Sequence, residues 1–271
     1  MLKEFDLQGK VAIVTGSGRG IGQGIALVLA EAGVDIVVAE FNKTGMEDTV
    51  QKVRDLGRKS IGVLGDVTKE QDVENIAKTA VSQFGKIDIL VNNAGTALIK
   101  PLAPLPGVKI SFSKIVPGFD DPLLTKDIRF ALDTNLLSTI LCCRAIGPQM
   151  MKQKSGRVIN ISSVWGAQAN AYYSVYSAAK AGVSTLSKCL AKEWGRYNIT
   201  VNAIMPGYFP TPLTSFFYQD EKVKESMLRQ IPLGRFGDAR RDIGLVISFL
   251  ASEAASYITG QSIAVDGGIV C

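Results

Sequence analysis

The chain has 271 residues, 46% hydrophobic and 20% charged, with 30 Lys and Arg against 25 Asp and Glu and a formal charge of +5. That length and apolar content supply one ample α/β core, and so modest a charge, with no basic cluster interleaved with aromatics, argues against a nucleic-acid partner. The chain has no histidine, which excludes serine–histidine catalysis and histidine-based metal sites. The four cysteines, Cys142, Cys143, Cys189 and Cys271, show no metal-ligand spacing, so no metal is expected. Residues 1–10 lack the apolar stretch of a signal peptide and no run is long enough to span a bilayer, so the expectation is a cytoplasmic protein without membrane partners, its thiols free.

The first element is the short β-branched run Val11-Ala12-Ile13-Val14, a buried strand. It leads into Thr15-Gly16-Ser17-Gly18-Arg19-Gly20-Ile21-Gly22, after which apolar residues recur at helical spacing from Ile21 to Ala32. A strand, a glycine turn and a helix start let the backbone approach a pyrophosphate and aim amides at it. The spacing is not the strict G-x-G-x-x-G pattern, because Ile21 stands at its third glycine. A turn of this kind also serves methyl-transfer enzymes, or simply connects a strand to a helix.

The second apolar run, Ile36-Val37-Val38-Ala39, ends at Glu40. A carboxylate there can accept both adenosine ribose hydroxyls and repels a 2′-phosphate, which favours NAD over NADP. Arg19 argues the other way, since a cation in the glycine turn can pair with that phosphate. Ile87 to Val91 reads as a strand closed by Asn92-Asn93-Ala94-Gly95, and Arg157 to Ile161 as another closed by Ser162-Ser163. Small and polar residues at the carboxyl ends of parallel strands line a ligand crevice. Two long apolar helical segments, Phe130 to Gln153 and Tyr176 to Trp194, present more nonpolar surface than one sheet face covers and so point to a homo-oligomer. Strand and helix patterns alternate throughout, with no linker or repeat. The architecture expected is one domain over residues 1–271, a doubly wound parallel sheet flanked by helices on both faces.

Within the second of those helices, Tyr176 and Lys180 lie four apart, which puts a phenol and an ammonium on one face. A free tyrosine titrates near pH 10, so acid/base work at neutral pH needs a shift of roughly three units, about 4 kcal/mol. A unit charge about 4 Å away supplies that only at an effective dielectric near ~20. The pair therefore works only where much of the water is excluded.

Taken together, TGSGRGIG at 15–22, Asp66-Val67, NNAG at 92–95, Asn135, Ser163, YSAAK at 176–180, Pro206-Gly207 with Thr211, and Asp266-Gly267-Gly268 resemble the short-chain dehydrogenase/reductase family over residues 7–268. The resemblance implies a Rossmann-like fold and a catalytic tetrad of Asn135, Ser163, Tyr176 and Lys180. Tyr176 would exchange a proton with a secondary alcohol or ketone, and Lys180 would lower the phenol pKa and hold the nicotinamide ribose. Ser163 would orient the reacting oxygen, and Asn135 would anchor a water relay from Lys180 to solvent. The cofactor path would follow Gly16, Ser17, Arg19, Gly20, Ile21 and Gly22, then Glu40 on the adenosine ribose, Asp66 and Val67 near the adenine, and Asn93, Ala94 and Gly95. Pro206, Gly207, Phe209 and Thr211 would flank the nicotinamide. The reaction implied is hydride transfer between NAD and a small secondary alcohol or ketone, such as a hydroxyacyl thioester or a cyclic or aromatic alcohol. The other reading is a catalytically silent NAD-binding or redox-sensing partner of a related dehydrogenase. Relatives commonly form homotetramers as dimers of dimers.

One region departs from the family and a second is variable. Between Gly95 and Asn135 the chain holds five of its ten prolines, a Pro-rich insertion at about 98–125. It reads either as a pocket element, with Lys100, Lys109 and Lys114 attracting an anion, or as a surface elaboration or subunit contact. After Thr211, a substrate lid at about 211–232 carries Phe216, Phe217 and Tyr218 and a charged run from Asp220 to Glu225. Aromatics there, with Trp165, Tyr172 and Tyr173, fit an apolar or ring-bearing substrate or ordinary core packing.

Overall fold

The computed structural model describes residues 2–105, 119, 121–212 and 214–270, apart from the side chain of Phe216. Lys109, Lys114, Leu213 and Cys271 lie outside the described residues. Seven strands, β1 (Val11–Thr15), β2 (Asp35–Glu40), β3 (Ser60–Leu64), β4 (Ile89–Asn92), β5 (Gly156–Ile161), β6 (Ile199–Pro206) and β7 (Ser262–Val265), form one sheet in the order β3-β2-β1-β4-β5-β6-β7. Every pairing is parallel. Between the strands run α1 (Gly20–Glu31), α2 (Lys43–Asp55), α3 (Glu70–Phe84), α4 (Thr125–Leu132), α5 (Ser138–Gln153) and α6 (Ser174–Trp194). After β6 come α7 (Ser215–Gln219), α8 (Glu221–Leu228) and α9 (Leu245–Ala251).

The continuous apolar strands follow from helices on both faces. Successive strand residues point to opposite sides: Ala12 and Val14 join one core with Ile25, Leu29, Val53 and Leu250. Ile13 and Val37 join the other, with Ile76, Ile146, Met150 and Trp194. Strand order reverses at the β1–β4 pair. Ligand crevices of such sheets open there, beyond the carboxyl ends of the strands.

The expected continuous helix from Phe130 to Gln153 is interrupted. A π-type turn at Asp133–Leu137 separates α4 from α5. The cause is local: Asn135 is fully buried and its Nδ2 donates to the Ala131 carbonyl at 2.9 Å, taking an acceptor from the helical ladder. The segment after Thr211 is two short helices, and Asp220 caps the second by accepting from the Lys222 and Val223 amides. Cys142 and Cys143 are buried in α5, where burial pushes both thiols up, Cys143 to about 12. No helix among the described residues is long and apolar enough to cross a membrane.

Ile146 joins α5 to the sheet with no exposed surface, whereas Leu245 is 58% exposed. Ile146→Ala is expected to lower the unfolding free energy in urea by about 2–5 kcal/mol, and Leu245→Ala by less than about 0.5 kcal/mol. Equal losses would contradict this placement of the core.

Candidate active site

The glycine turn is built against the end of β4. At Gly16, where φ is 61°, a Cβ would sit 2.8 Å from the Ala94 Cα, so only glycine lets the two chain segments pass. A Cβ at Gly22 would run into the Gly16 carbonyl and the Asn93 amide. Asn93 Nδ2 donates to the carbonyls of Thr15 at 2.9 Å and Gly16 at 3.0 Å, and Thr15 Oγ1 accepts from the Asn93 and Ala94 amides. The start of α1 therefore faces a crevice whose floor is fixed on both sides. Gly20, Ile21 and Gly22 at the start of α1 line this crevice, where helix-start amides can meet a pyrophosphate, which fits a dinucleotide.

Glu40 closes the β2 end of the cleft. It is buried, and its carboxylate accepts from the amides of Gly18 at 2.8 Å, Phe41 at 3.0 Å and Asn42 at 3.1 Å. It thus bolts the glycine turn to β2. Arg19 is exposed on the rim. Asp66 accepts from the amide and hydroxyl of Thr68, and its own amide donates to Asp72.

At the other end, three consecutive residues of the β5 terminus engage α6. The Ile161 carbonyl accepts from Lys180 Nζ at 2.8 Å, and Ser162 Oγ donates to the Lys180 carbonyl at 2.7 Å. Ser163 hydrogen-bonds the Tyr176 side chain and also accepts from the Trp165 amide. Lys180 Nζ lies 5.9 Å from the centroid of the Tyr176 ring. Asn135 Oδ1 accepts from the Thr96 amide at 3.1 Å, which ties the π-type turn to the chain leaving β4.

One cleft of 1160 Å³ joins both ends. Gly16, Arg19, Gly20, Ile21, Gly22, Glu40, Asp66, Val67, Asn93, Ala94 and Gly95 line it, as do Asn135, Ser163, Tyr176, Lys180, Pro206, Gly207, Phe209 and Thr211. Ser17 is the exception among the residues expected at the cofactor. Its side chain is fully buried and its hydroxyl donates to the Val14 carbonyl at 2.7 Å, while its carbonyl accepts from Thr49. It braces the turn from behind. The sequence reading missed Phe41, 72% exposed beside Glu40, and Tyr208. An exposed aromatic directly after an acidic strand end was a usable signal for the first; nothing in the sequence marked the second.

The electrostatics correct one expectation. Tyr176 is not lowered by its neighbouring ammonium: burial pushes the phenol up and the Ser163 hydrogen bond pulls it down. Lys180 is depressed to about 8 by burial alone. Helical spacing made the two groups neighbours but said nothing of the desolvation both suffer. Because the folded pKa of Lys180 lies below its unfolded value of 10.5, the folded state binds fewer protons between those values. The charged form thus costs stability, in full below pH 8, and the cost fades as pH rises toward 10.5. Lys180→Met is expected to raise unfolding free energy at pH 7 by up to roughly 3 kcal/mol. Urea titrations should show the gap between variant and wild type closing by pH 10.5, and a gap independent of pH would contradict the buried charge.

A family model for short chain dehydrogenases matches residues 10–222. The chain is 40% identical to the 3-oxoacyl-[acyl-carrier-protein] reductase FabG of Staphylococcus epidermidis, over 96% of this chain and 98% of that protein. It is 37% identical to the 2-dehydro-3-deoxy-D-gluconate 5-dehydrogenase of Dickeya dadantii, over 99% and 98%. A short-chain type dehydrogenase/reductase from Mycobacterium marinum superposes with a TM-score of 0.86 at 30% identity, covering 100% of this chain and 99% of that one. The match of fold and sequence along nearly the whole length establishes that the chain belongs to the short-chain dehydrogenase family, oxidoreductases that act on alcohol and ketone groups with a nicotinamide cofactor.

Proposed function

We propose that the protein is an NAD-dependent secondary alcohol dehydrogenase or ketone reductase, one catalytic domain in which Tyr176 is the acid/base. The observation that carries this reading is the convergence of Tyr176, Ser163 and Lys180 at the end of a cleft that begins at the glycine turn. A nicotinamide bound in the cleft would supply or accept the hydride. In the oxidative direction Tyr176 would take the alcohol O–H proton while its own phenol proton moves on toward uncharged Lys180, and the substrate C–H bond would give its hydride to the bound nicotinamide; reduction would run the same transfers in reverse. Ser163 Oγ holds the reacting oxygen, a contact that strengthens as charge develops there. Lys180 keeps one of its N–H groups on the Ile161 carbonyl and has two more for the nicotinamide ribose and for exchange of the proton. Asn135, fixed between Ala131 and Thr96, stands beside that path.

The cofactor would lie along Gly16, Gly20, Ile21 and Gly22, with Glu40 at the adenosine ribose, Asp66 and Val67 at the adenine, and Phe41 stacked at its edge. Pro206, Gly207, Phe209 and Thr211 would flank the ring. Glu40 supports NAD over NADP, because a phosphate beside its carboxylate meets like charge. Relatives whose names specify 3-oxoacyl and 2-dehydro-3-deoxy-gluconate substrates support a ketone as the oxidised partner. The exposed apolar side chains Phe130, Leu137 and Ile140 on α4, the π-type turn and α5 support assembly into a homotetramer. Unpaired buried thiols suit a reducing cytoplasm.

Tyr176→Phe is expected to lower kcat by about 10²–10⁴ while leaving the NADH dissociation constant within about twofold. Substantial remaining turnover, followed by reduced-cofactor absorbance, would remove Tyr176 from the role. Glu40→Ala is expected to shift the kcat/KM ratio toward NADP, and a wild type that already prefers NADP would overturn the assignment of Glu40.

A further inference from the structure

Beyond Tyr176 the cleft is walled by aromatic rings. Trp165 meets Tyr208 edge-on at 5.7 Å and Tyr173 at 6.0 Å, and Tyr173 meets Tyr176 at 6.0 Å and 66°. Ile99, Phe217 and Met227, all buried, continue the apolar lining, and Tyr208 spends its hydroxyl on Gln230. Apart from Lys180, no lysine or arginine is buried in this wall among the described residues; Lys222 of α8 reaches the cleft but is exposed. A carboxylate carried close to the reacting carbon would therefore lose its water without gaining a cation.

Tyr172 holds this wall in place. Among the described residues three non-glycine residues have positive φ: Lys154 and Asn198 terminate helices, where that conformation is ordinary, while Tyr172 at 71° terminates none. A tyrosine stays in this region only when its surroundings fix it. Two fixings come from the segment expected as an insertion. The Tyr172 carbonyl accepts from the Lys100 amide at 3.0 Å. The ring packs edge-on against Phe119, centroids 4.9 Å apart at 72°, and Phe119 is 1% exposed. Turning the chain at Tyr172 is what delivers Tyr173 onto Trp165 and Tyr176.

We propose that Tyr172, clamped by Lys100 and Phe119, is the specificity-determining residue of an aromatic-walled pocket that takes an uncharged, ring-bearing secondary alcohol or its cyclic ketone. The assignment rests on the dehydrogenase reading above and deepens it. An extended acyl thioester or a sugar acid would leave the rings uncovered or bury an unpaired charge, so both are disfavoured.

The test measures kcat/KM with NADH for α-tetralone, butan-2-one, levulinate and an acetoacetyl thioester of N-acetylcysteamine. In the wild type, α-tetralone is expected to exceed levulinate and the thioester by about tenfold or more. Tyr172→Gly suits the positive φ and removes the ring; Phe119→Leu releases the clamp without touching the cleft. Each is expected to lower the α-tetralone to butan-2-one ratio about tenfold, mostly through KM, with a thermal midpoint that shows the fold retained. Wild type favouring levulinate or the thioester, or an unchanged ratio in both variants while butan-2-one is still reduced, overturns the ring assignment and leaves the dehydrogenase reading standing. Failure to reduce any of the four ketones overturns both.

Discussion

A lysine ammonium held almost out of water by the end of a β-strand is the constraint on which the site depends. Lys180 is 4% exposed, its Nζ is on the Ile161 carbonyl, and its own carbonyl is on the Ser162 hydroxyl. Both ends of the residue are thereby registered to β5, and the next residue, Ser163, reaches Tyr176. Strand and helix cannot slide by one residue without breaking all of these bonds. A buried charge of this kind disfavours folding, so its position must be enforced by packing around it. Ser184 adds to that enforcement by donating to Ser162 one turn further along α6.

Beneath the site a buried polar chain crosses four elements. Asn92 donates to Asn160 Oδ1 at 2.8 Å and to Cys143 Sγ at 3.3 Å, and Asn160 donates to Ser187. This links β4, α5, β5 and α6 at a level the apolar cores alone would leave free to shift. Each bond is worth little net, but leaving one of these buried groups unpaired would cost more than the bond contributes. On the cofactor side Glu40 performs the corresponding task, joining the glycine turn to β2 through backbone amides. The two halves of the cleft are then held to one sheet by strand-end residues.

Much of this was legible because both-face burial writes itself as uninterrupted β-branched runs, as in Val11 to Val14 and Ile36 to Ala39, and strand ends moved by only a residue or two. The tyrosine–lysine spacing was legible for the same reason: it is local. What escaped depends on long-range packing. Ser17 sits in sequence among the residues expected at the cofactor, yet its small hydroxyl turns back to Val14. The π-type turn at Asn135 arises from a side chain competing for a backbone carbonyl, which periodicity does not register. The direction of the Tyr176 shift depends on how dry the cleft is, and a pair of residues four apart carries no information about desolvation. The Pro-rich segment read equally as a pocket element or as a surface elaboration, and only the Lys100 amide and the Phe119 ring against Tyr172 reveal what its described part supports.

Of the two buried groups Lys180 loses its proton first, because burial lowers the ammonium and raises the phenol. Burial brings that loss to about 8 by way of Lys180. The most direct measurement is the pH profile of kcat/KM in both directions with saturating nicotinamide. Alcohol oxidation is expected to rise to a plateau through a single ionisation near pH 8, and ketone reduction to fall through the same value. Rates independent of pH from about 6 to 10, in either direction, would contradict a proton device built from Tyr176 and Lys180.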